Sequence, residues 1–321
     1  MNRREFLKQT TATAAMLGCF PASLSAIERD TTAGKIERRV LGQTGDKLSI
    51  VAFGGYVLNR ASDEQSAQWV REAFEAGVNH FDVAPEYGTA EERMGPALET
   101  FRQQVFLSCK TAQRHRTEAA SELDRSLKRL RTDHIDLYQF HHVSRLDEVE
   151  AIFSDDGAMK AFEQAKKDGK IRHLGFSAHS VEAALAMMER YRFDSIMFPV
   201  NYATWNAGEF GPQVLAKAQE LRMGILALKA LAKQPLPPGA DRSAHPNCWY
   251  QPMTDPDEAM MGLRFTLSHP VTTALTPASE PCMKLALKLA AQFTPLKPEE
   301  AEAMKQKGLA ATPLFSYRAN G

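Results

Sequence analysis

Apolar and polar positions alternate between two periods along this chain. Short apolar runs at residues 79–82, 105–110, 135–141, 171–177, 195–200, 224–228 and 271–275 read as strands. Helical spacing fills the gaps between them. Residues 117–130 carry Leu123, Leu127 and Leu130 on one stripe, residues 158–168 stop at Gly169, and residues 180–190 open on Ser180 as a cap. Ser62 and Gln65 form a capping box for a helix that ends at Ala76 before Gly77. Upstream, two extended runs, 36–41 and 48–53, flank Gly42-Gln43-Thr44-Gly45-Asp46 and predict a β-hairpin. With residues 50–53 counted, eight strands alternate with helices. That order implies a parallel sheet, and eight units predict an α/β fold, a (β/α)8 TIM barrel with an N-terminal β-hairpin. A doubly wound dinucleotide sheet is the competing architecture. It calls for a GxGxxG turn after the first strand, and Gly54-Gly55-Tyr56 is not one. The longest gap, between the last two strands, holds Pro235-Leu236-Pro237-Pro238-Gly239 and Cys248-Trp249-Tyr250, and reads as an irregular loop over one barrel mouth.

Composition narrows the function classes. The 321 residues are 44% hydrophobic and 24% charged, which excludes a disordered chain. Lys+Arg and Asp+Glu tie at 39 each, so no electrostatic case exists for nucleic acid or an anionic membrane. Four scattered cysteines without a CxxC exclude a disulfide framework. The first 26 residues read differently from the rest. Arg3-Arg4-Glu5-Phe6-Leu7-Lys8, an apolar stretch to Phe20, and small residues to Ala26 resemble a twin-arginine export signal. That resemblance implies a passage through the twin-arginine translocase, a periplasmic or exported location, and a barrel domain over residues 27–321. The apolar run is too short for a stable membrane span. Met16-Leu17-Gly18-Cys19 is a weaker alternative, a lipid anchor through Cys19.

In such barrels chemistry gathers at the C-terminal strand ends. Three consecutive strands end at Asp82, Lys110 and His141, and Tyr87 follows Asp82 on its loop. Leu137 and Gln139 share the face of His141, so aspartate, lysine and histidine should meet inside one mouth. Together the four suit proton donation to a carbonyl. A nearby ammonium lowers the pKa of a phenol, a carboxylate holds a buried ammonium, and a neutral imidazole donates to the carbonyl oxygen. None of the four carries electrons, so a cofactor must supply the hydride.

Arg39-Val40-Leu41-Gly42-Gln43-Thr44-Gly45, Phe81-Asp82-Val83-Ala84-Pro85-Glu86-Tyr87-Gly88 with Glu91 and Gly95, Phe106-Leu107-Ser108-Cys109-Lys110, and Asp136-Leu137-Tyr138-Gln139-Phe140-His141 resemble, in order, the motifs of the aldo-keto reductases. The resemblance implies Tyr87 as acid/base, Lys110 and Asp82 as its tuners, and His141 as the group orienting a small carbonyl or alcohol substrate. It also implies NADP(H), with NAD(H) open, contacted by Gly55, Tyr56, Asp82, Ser177, Asn201, Leu228, Lys229 and Ser279. The cofactor side departs from the family. Ala178 follows Ser177, Asn201 or Pro199 stands where a glutamine is common, Leu228 replaces a stacking aromatic, and no arginine follows Ser279, leaving Ser279 and Lys284 for a phosphate.

The remaining readings are plainer. His141 and His142 should face opposite ways along a strand and so form no metal pair. No metal is expected. His115, His179 and His245 read as solvated loop residues, and Cys109 packs outside the barrel. Cys248 is free or pairs with Cys282, and Trp249-Tyr250 either lines a pocket or packs the loop. Two other classes compete with a reductase: a nicotinamide- or ligand-binding barrel acting as a sensor or subunit, and a lyase forming a Schiff base on Lys110.

Overall fold

The computed structural model describes residues 36–317. Strands β1 (Arg38–Val40) and β2 (Lys47–Ser49) form the antiparallel hairpin, with Arg39 opposite Leu48. Its turn has Gly42 at φ 52° and Gly45 at φ 84°, left-handed values that explain glycine at both positions. The second run of the predicted hairpin divides after Ser49. Residues Val51–Gly54 become β3, the first barrel strand.

Eight parallel strands close the barrel: β3, β4 (His80–Asp82), β5 (Phe106–Thr111), β6 (Ile135–Val143), β7 (Ile171–Ala178), β8 (Ser195–Pro199), β9 (Gly224–Leu228) and β12 (Thr273–Leu275). Strand β12 pairs with both β3 and β9 and closes the ring. The helices follow the predicted signals. Ser62 accepts from the Gln65 amide, and the Gln65 side chain accepts from the Ser62 amide, opening Asp63–Glu75. Ser180 accepts from the Ala183 amide and opens Val181–Arg190.

Two apolar layers hold this arrangement. Inside, Ala52, Phe106, Leu137, Met197, Leu226 and Leu275 fill the barrel, and Leu41 and Leu48 of the hairpin join them as a plug at the N-terminal end. Outside, strand residues such as Cys109, Tyr138 and Phe140 pack against the helical ring, so Cys109 lies where expected. With the lower end sealed, the open mouth is the C-terminal one. The long gap is more ordered than the sequence suggests. Strands β10 (Ala232–Pro235) and β11 (Tyr250–Pro252) pair antiparallel within it. Alternation was masked there by prolines at 235, 237 and 238. The export segment and Cys19 lie outside the described residues. No helix among the described residues is long and apolar enough to cross a membrane.

Candidate active site

Neighbouring strand ends bring the four chemical side chains together, with Asp82, Tyr87 and His141 lining one cavity and Lys110 buried behind them. The register places Asp82 beside Ser108 and Lys110 beside Gln139. Lys110 Nζ donates to Asp82 Oδ2 at 2.5 Å and to the Val83 carbonyl at 3.1 Å, with both side chains fully buried. The Gln139 amide donates to Asp82 Oδ1 at 3.5 Å. Burial alone pulls Lys110 down, but the Asp82 carboxylate and Tyr87 outweigh it, and the net shift is upward. The ammonium therefore stays charged at neutral pH. It lies 5.2 Å from the centre of the Tyr87 ring, and the His141 ring lies 5.7 Å from that ring on an edge-to-face approach.

Two electrostatic expectations are corrected here. Burial pushes the Tyr87 phenol up to about 12, and Lys110 offsets only part of that rise. The resting phenol is thus neutral. Burial also pulls His141 down to about 4. Glu86, held well below the usual carboxylate range by hydrogen bonds from His141 and His142, is ionised. A carboxylate only accepts, so the His141 Nδ1 at Glu86 Oε2 carries the ring proton. A neutral His141 then has a bare Nε2, which accepts rather than donates.

The opposite-face expectation for His141 and His142 also fails. His142 has φ 43°, and the β6–β7 register shifts between Phe140 and Val143. This irregularity turns both imidazoles to one side, 4.7 Å apart, where each meets Glu86. Ligand atoms of the three residues lie within 4.8 Å of one another, a spacing that a metal ion could share and that the shared hydrogen bonds to Glu86 already explain. No sequence period signals a single left-handed histidine.

The expected cofactor contacts separate into two groups. Tyr56, Asp82, Ser177, Leu228 and Lys229 line a cavity of about 450 Å³ together with Tyr87 and His141. The Ser177 hydroxyl accepts from the His142 amide at 2.7 Å, which fixes its position in the wall. The others are committed elsewhere. Gly55 is pinned by packing, since a Cβ there would sit 2.6 Å from the Asp82 carbonyl. Asn201 caps the helix Tyr202–Asn206, accepting from the Thr204 amide at 2.8 Å and donating to the Lys229 carbonyl at 3.2 Å. One bond at each end of its amide positions Asn201, which is buried and does not line the cavity. Ser279 shares a hydrogen bond of 2.7 Å with His245 Nδ1, and Lys284 bridges Glu72 and Glu280 at 3.1 Å each. Both therefore already have protein partners.

Other wall residues escaped the sequence reading. His179 is part of the cavity, stacked on Phe315 at 5.4 Å and pulled down to about 3 by burial, not a solvated loop residue. Phe315 arrives from the C-terminal segment, tied down by the Tyr317 amide donating to the Gly208 carbonyl at 2.7 Å. His245 is likewise partly buried, whereas His115 is exposed as expected. Cys248 and Cys282 are both free thiols. Trp249 and Tyr250 line the pocket.

Residues 50–306 match the Aldo/keto reductase family, well over half of the chain. The chain belongs to the aldo/keto reductase family. L-galactose dehydrogenase of Arabidopsis thaliana is 30% identical over 175 residues, covering 49% of this chain and 53% of that relative. Aldo-keto reductase YhdN of Bacillus subtilis is 37% identical over 149 residues, covering 42% and 43%. The chain thus spans about half the length of these curated relatives. The holo form of aldo-keto reductase AKR11C1 from Bacillus halodurans superposes with a TM-score of 0.70 over 88% of this chain and 99% of its own, at 24% identity, a likeness of fold. The chain is thus a member of this family built on a (β/α)8 barrel.

Proposed function

We propose that this aldo/keto reductase interconverts a small carbonyl compound and its alcohol with a nicotinamide dinucleotide, Tyr87 acting as the acid/base. One observation carries this reading: a charged Lys110, held by Asp82 at 2.5 Å, lies beside a neutral Tyr87 phenol that lines a cavity. The cavity fits the reactive end of such a cofactor, with a fixed Ser177 hydroxyl and the Tyr56 ring in its wall. When bound, the nicotinamide supplies the hydride. The chain's own residues handle the proton. Tyr87 gives its phenolic proton to the carbonyl oxygen, and the phenolate left behind is stabilised by the Lys110 ammonium. Asp82 keeps that ammonium in place. His141, with Nδ1 on Glu86, offers Nε2 as an acceptor for the alcohol hydroxyl. The Lys110 Schiff-base reading loses support, because a lysine held charged by Asp82 is a poor nucleophile.

Selection of NADPH over NADH has little support at the far end of the groove. Lys284 is neutralised and Glu280 adds a negative charge beside it. Titration of the protein with each cofactor, followed by tryptophan fluorescence, is expected to give two saturable curves whose affinities differ by less than about tenfold. NADPH bound a hundredfold tighter defeats the expectation of weak discrimination. Binding of neither favours the second reading, a ligand-binding barrel with little turnover.

We further infer that residues 1–26 send the folded enzyme outward by the twin-arginine route, on the strength of Arg3-Arg4-Glu5-Phe6-Leu7-Lys8. Arg3→Lys with Arg4→Lys is expected to hold the full chain in the cytoplasm of a host bearing that translocase. Unchanged periplasmic recovery on fractionation speaks against the route.

A further inference from the structure

A second lysine, Lys229, lines the cavity itself, and its environment is the reverse of that of Lys110. Lys110 has Asp82. Lys229 has no carboxylate within ion-pairing distance among the described residues. Its ammonium instead lies 5.1 Å from the Trp249 ring and 4.9 Å from the Tyr250 ring, held by cation–π attraction alone. The backbone fixes it there. Lys229 takes a left-handed φ of 66°, and its carbonyl accepts from the Ala232 amide at 2.9 Å and from Asn201. The fold therefore sets where the side chain leaves the backbone, and the two rings hold its ammonium.

The rest of the cavity does not neutralise this charge. Asp82 is spent on Lys110. His141 and His179 are both pulled down by burial and neutral at physiological pH, and Lys229 itself is one cause for His179. Glu86 is engaged by the two histidines of β6. Desolvation draws Lys229 down to about 8, the response of an ammonium enclosed without a counter-ion. A partly buried cation without a counter-ion is placed to pair with an incoming anion. Tyr87 and His141 line the same cavity as Lys229, so a small molecule that presents its carbonyl to Tyr87 can set an anionic group against the ammonium.

We propose that Lys229 is the recognition site for a carboxylate on the substrate, so that this enzyme takes oxo-acids or aldehyde-acids in preference to their neutral counterparts. The inference rests on the reductase reading for the carbonyl end of the molecule, but the anion site can be scored without turnover.

The test compares matched pairs: succinic semialdehyde and the three carboxybenzaldehyde isomers against their methyl esters. For at least one pair, the wild-type protein is expected to favour the acid over the ester in kcat/KM by at least about tenfold, the worth of a charge-assisted hydrogen bond. Lys229→Met is expected to bring that ratio close to one by raising KM for the acid, and Lys229→Arg to keep much of it. Separately, the corresponding carboxylates without an aldehyde, succinate and benzoate, are titrated by fluorescence, since Trp249 lies against the ammonium. Quenching that Lys229→Met abolishes supports the anion site even if no substrate is turned over, an outcome that would sink only the reductase reading. Three results overturn the proposal. One is an acid-to-ester ratio that Lys229→Met leaves unchanged. Another is a tenfold or greater loss of NADPH affinity in Lys229→Met without change in that ratio, which gives the lysine to a cofactor phosphate. The third is borohydride trapping of an aldehyde on Lys229, which makes the amine a nucleophile.

Discussion

Tyr87→Phe is expected to lower carbonyl reduction by about 10²–10⁴-fold, the usual contribution of a positioned acid, while nicotinamide binding persists. The substitution removes one oxygen and leaves the ring contacts, 5.0 Å to Tyr56 and 5.7 Å to His141, in place. Folding and cavity shape should survive, so the loss falls on kcat and not on the affinity for cofactor. The direction of the phenol's shift sharpens the expectation. Because burial holds Tyr87 near 12, the resting enzyme has its proton in hand throughout the neutral range. Single-turnover hydride transfer, followed by loss of NADPH absorbance, checks the prediction. A Tyr87→Phe enzyme within tenfold of the wild type would remove the phenol from the mechanism and leave the proton to solvent.

The barrel and the convergence of Asp82, Lys110, His141 and Tyr87 were legible because they depend on period and order alone. Strand ends follow from where apolar runs stop, and parallel neighbours follow from alternation. What stayed hidden depends on single residues departing from the local period. His142 turns left-handed and brings two imidazoles onto Glu86, so the tautomer of His141 is decided by a residue that the motif displays without explaining. Asn201 has the right chemistry for a carboxamide, but it is spent on the backbone of Thr204 and Lys229. Sequence position gave Asn201 a neighbourhood and could not say which partner its amide would take. The sign of the Tyr87 shift failed for a related reason. Proximity to Lys110 is readable from strand order, whereas the burial that outweighs it depends on tertiary packing around the ring, including Tyr56 at 5.0 Å, that follows no local period.

The largest effect on stability is expected from Asp82→Asn. Asp82 and Lys110 are both sealed from solvent, and removing only the negative charge leaves a buried ammonium with neutral acceptors, the new amide oxygen and the Val83 carbonyl at 3.1 Å. Breaking a buried pair in this way costs about 3–5 kcal/mol, far more than the pair contributes relative to an apolar replacement. Urea denaturation of Asp82→Asn should show that loss. The double variant Asp82→Asn with Lys110→Met removes both charges, and its stability should return to within about 1–2 kcal/mol of the wild type, because no uncompensated ion remains. Activity should part company with stability at this point. The double variant has no cation beside Tyr87, so the phenolate formed on proton transfer stands in a low-dielectric site without a counter-charge, and turnover should stay as low as in Lys110→Met alone. Recovery of both stability and turnover would mean the pair serves the fold only. Recovery of stability alone separates the two duties, since the carboxylate then exists to hold a charge that folding does not need and proton transfer does.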